Sequence, residues 1–497
     1  MKIRKATVCS TCRSRKLGCD GKRPACSQCF LRGRKCPGYQ ANLIFRPPLV
    51  SHLPTAKRDD RQNSRTKREK LKQHADPTEQ RALTPGLAPT RAICWPLRDV
   101  ISFCVQNFAP ASELPLLSDD PKVSQSRICG SWIEVLPELV GRGESNLLPS
   151  AIRALGVSIA ARGCDGWAPI SDALEAKCSA LTTLQGALCR TRVSPSDELA
   201  AAVMCLFLSE KLLPTSNASS VVHAKGISDL IQLCRPDFYA SGVPHKLFVG
   251  FRPVLILNAF DTRTSTFLAT DEWKSEPFRL VPAVPLQALM NEAIEIPSIL
   301  EKLDSSKLNP ASAYPVAHEA LFRFVEILDR LSRWYRSTQV SSGGPLWWPV
   351  SRTDGQTHLW FSNITVANCL THLWAFWIIC ATQIRQLRAE FPGLMEQGIE
   401  VDGQAPESAH VSQKIIQESV RILQSVEFLT QDEMKLYGIA SAALPLHTAW
   451  KVLDTINNSG TDTCPSSCQK VIERIISKGF GDVLMPRQYL EASRSVS

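Results

Sequence analysis

Long hydrophobic runs are absent from this chain of 497 residues. The longest apolar stretch, Leu373–Ala381, is too short to span a bilayer, and Asn368 and His372 stand just before it. The first residues, Met1–Cys9, include basic side chains but lack the apolar segment of a secretory signal. We therefore expect an intracellular protein with no membrane partner, whose eighteen cysteines are thiols or metal ligands and not disulfides.

The sequence also lacks the motifs of the common enzyme classes. It contains no Gly-x-Ser-x-Gly elbow, no P-loop and no dinucleotide-binding fingerprint. The histidines are scattered, and none forms an H-x3-H pair of the kind that binds metals. We therefore predict that the protein is not an enzyme.

Positive charge is concentrated at the N-terminus. Residues 1–36 hold eleven Lys or Arg against one acid, Asp20, and so carry a net charge of +10. Residues 37–81 hold ten basic residues against five acids, and residues 82–497 hold thirty-six against forty-one. A basic segment on a slightly acidic body predicts a polyanionic partner for that segment.

Composition divides the chain into three parts, of which residues 1–40 are rich in cysteine and basic side chains. Residues 41–90 are polar and contain several prolines, so we predict a basic disordered linker. Its basic run, Lys57–Lys72, could contact DNA, act as a nuclear-import signal or remain solvated. Leu71 stands almost alone and Pro77 follows it, so no coiled-coil dimer is predicted beside the cysteines.

Residues 91–497 are predicted to form one large all-helical domain, so the fold class is mainly α. Strand-like alternation is scarce, whereas apolar residues recur at the spacing of one helix face in three stripes. These are Leu199, Ala202, Val203 and Leu206; Leu321, Phe324, Val325, Leu328 and Leu331; and Ile415, Ile416, Val420, Leu423 and Val426.

Shorter signals predict boundaries inside this domain. Ser194 and Pro195 predict a helix cap followed by a first-turn proline. A division into two domains near Trp273–Lys307 is a further hypothesis. The apolar stretch Leu373–Ala381 is predicted to lie in a buried core helix. Stretches rich in Ser, Pro, Gly and Asn predict loops at Asp304–Pro315, Ser341–Gly355 and Ile456–Ser467.

Six cysteines lie in the first forty residues at regular spacing. They are Cys9, Cys12, Cys19, Cys26, Cys29 and Cys36, so the unit C-x2-C-x6-C occurs twice, offset by seventeen residues. Each C-x2-C can place two thiolates on one metal at the start of a helical turn. Six thiolates are two short of two separate tetrahedral sites, but two bridging sulfurs would give each of two zinc ions four ligands.

Three hypotheses fit six cysteines. A disulfide framework is disfavoured by the missing secretory signal and the basic flanks. A single zinc site on Cys9, Cys12, Cys26 and Cys29 would leave spare thiols at Cys19 and Cys36, which are matched positions of the repeat. A shared two-zinc cluster uses all six, and its net charge of about −2 is offset by the nearby cations.

The cysteine segment resembles the fungal Zn2Cys6 binuclear-cluster domain. All six cysteines match its pattern, Cys12–Asp20 is similar to its basic helix, and Pro24 matches its loop proline. Gly18 departs from the family, which commonly has Lys or Arg there, so one phosphate contact would be lost. The resemblance implies Cys9 and Cys26 as bridging ligands, Cys12 and Cys19 completing one zinc, and Cys29 and Cys36 completing the other.

The same resemblance implies a nuclear transcription regulator of the RNA polymerase II type that reads a G·C-rich triplet such as CGG in the major groove. Lys16 matches the family's base-contacting lysine, since an ammonium can donate to O6 and N7 of guanine; the alternative is a solvated cation. Such regulators often control biosynthetic or catabolic genes. Arg13 and Arg15 are expected to contact phosphate or a neighbouring base. Phosphate contacts that position the domain are expected from Lys22, Arg23, Arg34 and Lys35.

Segments of the body resemble the fungal-specific transcription factor domain, namely His223–Gly226, Phe251–Pro253 and Thr266–Trp273. The resemblance implies an all-helical regulatory region over 91–497 that is associated with effector response, inhibition or dimerisation. The expected partners are double-stranded DNA, a second copy or another transcription factor, and a small-molecule effector. The alternative is a small-molecule-binding or enzymatic body with an appended zinc module.

We predict that the full-length chain binds two zinc ions, because the doubled C-x2-C-x6-C repeat supplies enough thiolates only if two of them are shared. Elemental analysis of the purified protein, normalised to protein concentration, checks the ratio. A ratio of one would favour the single site on four cysteines.

Overall fold

The computed structural model consists of two units, Met1–Thr84 and Pro85–Ser497. The residues that the structure describes in the first unit are Cys12, Cys19, Gln28, Cys29 and Arg32. Those in the second are 94–110, 129–143, 145–162, 166–190, 196–215, 219–307, 310–351, 357–397, 408–457 and Ile475. The predicted linker, residues 41–90, lies outside them.

The first half of the second unit is built from helices. In chain order they are α1 (Leu97–Phe108), α2 (Leu136–Arg142), α3 (Leu147–Ala161), α4 (Ile170–Arg190), α5 (Asp197–Leu212), α6 (Ser219–Ile231) and α7 (Gly242–Thr262). Short 3-10 segments cover Cys129–Val135 and Pro236–Tyr239.

Helix α3 is the centre of this half because nearly all of its residues are apolar or small and nearly all are buried. It packs against α1, α4 and α5. Gly156 allows the close approach of α1, since a Cβ there would lie 2.5 Å from Val100 Cγ1. The hydroxyls of Ser158 on α3 and Ser209 on α5 lie 2.6 Å apart and hydrogen-bond across the interface.

The second half adds helices and a small hairpin. The helices are α8 (Asp271–Ser275), α9 (Pro285–Ala293), α10 (Ile296–Ser306), α11 (Pro310–Ser341), α12 (Ile364–Glu390), α13 (Ser408–Leu429), α14 (Lys435–Ser441) and α15 (Ala443–Asn457). The strands are β1 (Trp347–Ser351) and β2 (Thr357–Phe361). Further 3-10 segments cover Phe267–Ala269, Glu276–Phe278, Pro392–Gln397 and Asp432–Met434.

Helix α12 is the centre of the second half and packs against α9, α11, α13 and α15. Within the described chain it is a helix long and apolar enough to cross a membrane, but 83% of its apolar window is buried inside the protein. The predicted core helix around Leu373–Ala381 is therefore confirmed. The helix extends well beyond that run, and its buried polar side chains bond to carbonyls of the same helix: Thr371 Oγ1 donates to Ala367 O at 2.9 Å, and His372 Nδ1 donates to Asn368 O at 2.8 Å.

The three apolar stripes are confirmed as buried helix faces on α5, α11 and α13. Most of their members are buried. Val203, Val325 and Val420 are partly buried, and Ile416 is 38% exposed. The mainly α fold predicted from their spacing is correct.

The hairpin corrects the predicted loop at Ser341–Gly355, because Trp347–Ser351 is a strand. It pairs with β2 in antiparallel register, with Trp347 opposite Phe361. Leu359 and Phe361 of β2 are buried, and the Phe361 ring lies 5.2 Å from that of Phe428 on α13. Contact with a helix distant in sequence therefore stabilises two strands that are too short to show a clear alternation.

Two helix boundaries also differ from the predictions. The predicted loop at Asp304–Pro315 is mostly helix, because α10 continues to Ser306 and α11 begins at Pro310, where a proline costs no helical hydrogen bond. The cap of α5 is Ser196 and not Ser194, since Ser196 Oγ accepts a hydrogen bond from Leu199 N at 3.1 Å. Ser194 and Pro195, like most of the predicted loop Ile456–Ser467, lie outside the described residues.

One apolar core runs through the described part of the second unit, so the hypothesis of a division near Trp273–Lys307 is wrong. The buried cluster includes residues before, within and after that region. Phe260 of α7 and Phe376 of α12 stack with ring centroids 5.2 Å apart and join the two halves directly.

We expect Phe376→Ala to destabilise the protein by about 3–5 kcal/mol, because a fully buried ring would be replaced by a cavity between α7 and α12. The matched control is Phe322→Ala on α11, whose ring is 60% exposed and whose loss should change stability little. Urea unfolding of both variants measures the difference. Equal midpoints for the two would contradict the packing described for α12.

Candidate metal centre

Two of the six predicted ligands, Cys12 and Cys29, occupy equivalent positions in the two halves of the cysteine repeat. Each is the second cysteine of a C-x2-C unit, each has helical backbone conformation, and each is only 1% exposed. Cys19 lies outside helical structure and is half-buried. The two halves of the repeat therefore have the same local conformation at this position.

The sulfur atoms of Cys12 and Cys29 lie 4.0 Å apart. A disulfide would need a separation of about 2.05 Å, so these two cysteines are not cross-linked. The observed distance argues against the disulfide framework for this pair, and it places one thiol from each half of the repeat side by side.

The donor chemistry at this position also fits zinc. Thiolate sulfur is a preferred ligand of Zn²⁺, and structural zinc sites are closed to solvent, as both of these side chains are. Outside the described residues lie the other three predicted ligands, Cys9, Cys26 and Cys36. The same holds for the predicted DNA contacts, Arg13, Arg15, Lys16, Lys22, Arg23, Arg34 and Lys35.

Arg32 is a basic side chain that the predicted DNA contacts omit. It lies in a turn three residues after Cys29 and is exposed, so its guanidinium is accessible to a phosphate. Its position among the basic residues of 1–36 is the sequence signal by which it could have been added to the predicted DNA contacts.

The sequence comparison supports a domain with six cysteines. Residues 7–43 match the family model of the fungal Zn(2)-Cys(6) binuclear cluster domain. The matched range contains all six cysteines, whereas a single zinc site would use only four of them. The N-terminus therefore carries a zinc-binding domain of the six-cysteine type.

A second comparison also finds a relative. The transcription factor FBD3 of Gibberella moniliformis is 39% identical over 74 residues, which cover 14% of this chain and 10% of that relative. No solved structure matches the chain. Because the domain match ends at residue 43, the resemblance of the body to the fungal-specific transcription factor domain remains a prediction.

Two buried histidines of the second unit have structural roles. Burial lowers the pKa of His372 to about 4, so its imidazole is neutral at pH 7. Burial also lowers the pKa of His245, whose Nδ1 lies 2.9 Å from Tyr239 O and 3.0 Å from Pro277 O. Across the described residues, no three His, Cys, Asp or Glu side chains form a group that could hold a metal.

One of the segments that resemble the regulatory domain builds the core. Arg252, in Phe251–Pro253 of α7, is fully buried and donates to Gln287 Oε1 at 2.6 Å and to Asn291 Oδ1. Its guanidinium also lies 5.3 Å from the centre of the Phe278 ring. These contacts tie α7 to α9, so Arg252 supports the fold.

We predict that Cys26→Ala removes both zinc ions, because a bridging ligand belongs to both metal sites. Cys29→Ala should spare one of them, since a terminal ligand belongs to one site. Cys178→Ala on α4, an exposed thiol of the second unit, is the control that should keep full zinc content. Zinc content after dialysis measures each variant, and one tightly held zinc in Cys26→Ala would argue for separate sites.

Proposed function

We propose that this protein is a sequence-specific, DNA-binding transcription regulator of the RNA polymerase II type that acts in the nucleus. The observation that carries the proposal is the match of residues 7–43 to the Zn(2)-Cys(6) domain. The name of the relative, a transcription factor, and the net charge of +10 in residues 1–36 support it. The proposal assigns no catalytic reaction to the chain.

The charge of the first segment suits a phosphate backbone. Eleven Lys or Arg lie in the thirty-six residues that also hold the six cysteines. Lys and Arg that neutralise phosphates release counterions from DNA, which gives strong but salt-dependent and non-specific binding. Lys22, Arg23, Arg34 and Lys35 would contribute in this way, and exposed Arg32 joins them.

Base readout is assigned to the first half of the repeat. Arg13, Arg15 and Lys16 lie between its second and third cysteines. The equivalent segment of the second half starts with the apolar pair Phe30 and Leu31, and its basic residues, Arg32, Arg34 and Lys35, come after them. Lys16 would donate to O6 and N7 of guanine in a G·C-rich triplet such as CGG. Arg13 and Arg15 would contact phosphate or a neighbouring base. Bound zinc would fix the ends of both basic segments through the six thiolates.

A second candidate function places a small-molecule-binding activity in the helical unit, with the zinc domain as an appended module. The two candidates predict different DNA behaviour. A regulator should keep its preference for G·C-rich triplets as salt rises, whereas a merely basic segment should lose all binding together. Fluorescence anisotropy with duplexes that differ only in the triplet, measured from low to physiological salt, separates them.

We expect Lys16→Ala to reduce the preference for a CGG duplex over a scrambled triplet about tenfold, because a lysine–guanine contact discriminates by about 1–3 kcal/mol. Lys22→Ala, which removes a predicted phosphate contact, should weaken both duplexes by the same factor. Both variants must retain the zinc content of the unchanged protein. A uniform loss of affinity in Lys16→Ala would make Lys16 a phosphate contact.

A further inference from the structure

A cavity of about 590 Å³ opens between α7, α10, α12, α13 and α15. Pockets for small organic ligands usually have volumes of about 300–1,000 Å³ and lie between helices in bundles. None of the segments that resemble a known regulatory domain lies in its lining, so no sequence signal indicated it.

The inner surface of this cavity is apolar. Its lining includes residues from all five helices that are each no more than 7% exposed, namely Phe260, Leu300, Ile378, Ile415 and Leu444. Four of these five side chains are aliphatic, and Ile416 lies nearer the opening with 38% exposure. Such a surface favours a flexible aliphatic group over a stacked aromatic one.

The opening of the cavity carries more positive than negative charge. Arg263, Arg385 and Lys451 line it against one acid, Asp261. Arg263 is already paired, since its Nε and Nη2 donate to Asp304 at 2.6 Å and 3.0 Å. The Arg385 side chain is exposed and donates to the neutral Ser412 Oγ at 3.3 Å, with no carboxylate of the described residues in salt-bridge distance. Its charge is therefore accessible to an anion.

Two polar atoms in the residues that line the cavity have unmet hydrogen-bonding capacity. His447 Nε2 and Thr382 Oγ1 are buried and have no hydrogen-bond partner among the described residues. Burial lowers the pKa of the His447 imidazole, so the ring is neutral at pH 7. Buried polar groups without partners are rare in folded proteins and often mark functional positions.

We propose that this cavity binds a small organic acid, with its aliphatic body on the apolar inner surface and its carboxylate at Arg385. A guanidinium forms stronger hydrogen bonds with a carboxylate than with a hydroxyl, so an acid would replace Ser412 as the partner. An organic cation of the same shape would meet Arg385 and Lys451 and lose affinity. The proposal does not rest on DNA binding by the cysteine domain.

Isothermal titration of the full-length, zinc-loaded protein with decanoate tests the proposal, and decyltrimethylammonium is the matched probe with the opposite charge. We expect saturable binding of one decanoate per chain and at least tenfold weaker binding of the cation. Absence of saturable decanoate binding, or equal affinity for the two probes, would overturn the proposal. Because no DNA is present, this result is independent of the proposed regulatory function.

Variants locate the binding. Arg385→Gln should weaken decanoate about tenfold, because it removes the charge but keeps a hydrogen-bond donor. The control Arg235→Gln replaces an exposed arginine outside the cavity lining and should leave affinity unchanged. Ile416→Glu adds a carboxylate at an exposed position near the opening and should reverse the preference toward the cation. Equal decanoate affinity in all three variants would place the site elsewhere.

Discussion

Six thiolates in a short basic segment are the constraint on which the N-terminal unit depends. A segment of about forty residues cannot bury enough apolar surface to fold alone, so metal or another cross-link must hold it. Six cysteines bound to zinc as thiolates would carry negative charge, and the eleven cations of residues 1–36 would balance it. The same cations are what a DNA backbone would attract, so metal binding and DNA binding draw on one charge distribution.

The second unit is stabilised in a different way. Helix α3 and the part of α12 up to Ala381 are buried on almost every side, and the other helices pack around them. Burial of this kind requires that polar side chains be satisfied locally, as Thr371 and His372 are by carbonyls of their own helix. Among the buried polar atoms of the described residues that have no hydrogen-bond partner, His447 Nε2 and Thr382 Oγ1 belong to residues that line the cavity bounded by α7, α10, α12, α13 and α15. The apolar core and the cavity proposed to bind an organic acid therefore share α12.

The features that depend on local spacing are predicted well from the sequence. The cysteine repeat alone indicates a metal centre, and the 3.6-residue stripes on α5, α11 and α13 indicate buried helix faces. The hairpin at Trp347 and the continuation of α10 to Ser306 depend on contacts with distant helices, so local composition misleads there. The cavity could not be predicted, because its lining comes from five helices spread over nearly two hundred residues.

The most direct test of zinc-dependent DNA recognition is selection of bound DNA from a random duplex pool by the full-length protein, with and without a zinc chelator. We expect enrichment of sequences that contain a G·C-rich triplet, its loss on chelation and its return when zinc is restored. Enrichment of no sequence, or the same enrichment with zinc removed, would contradict a zinc-dependent, sequence-reading domain at residues 7–43.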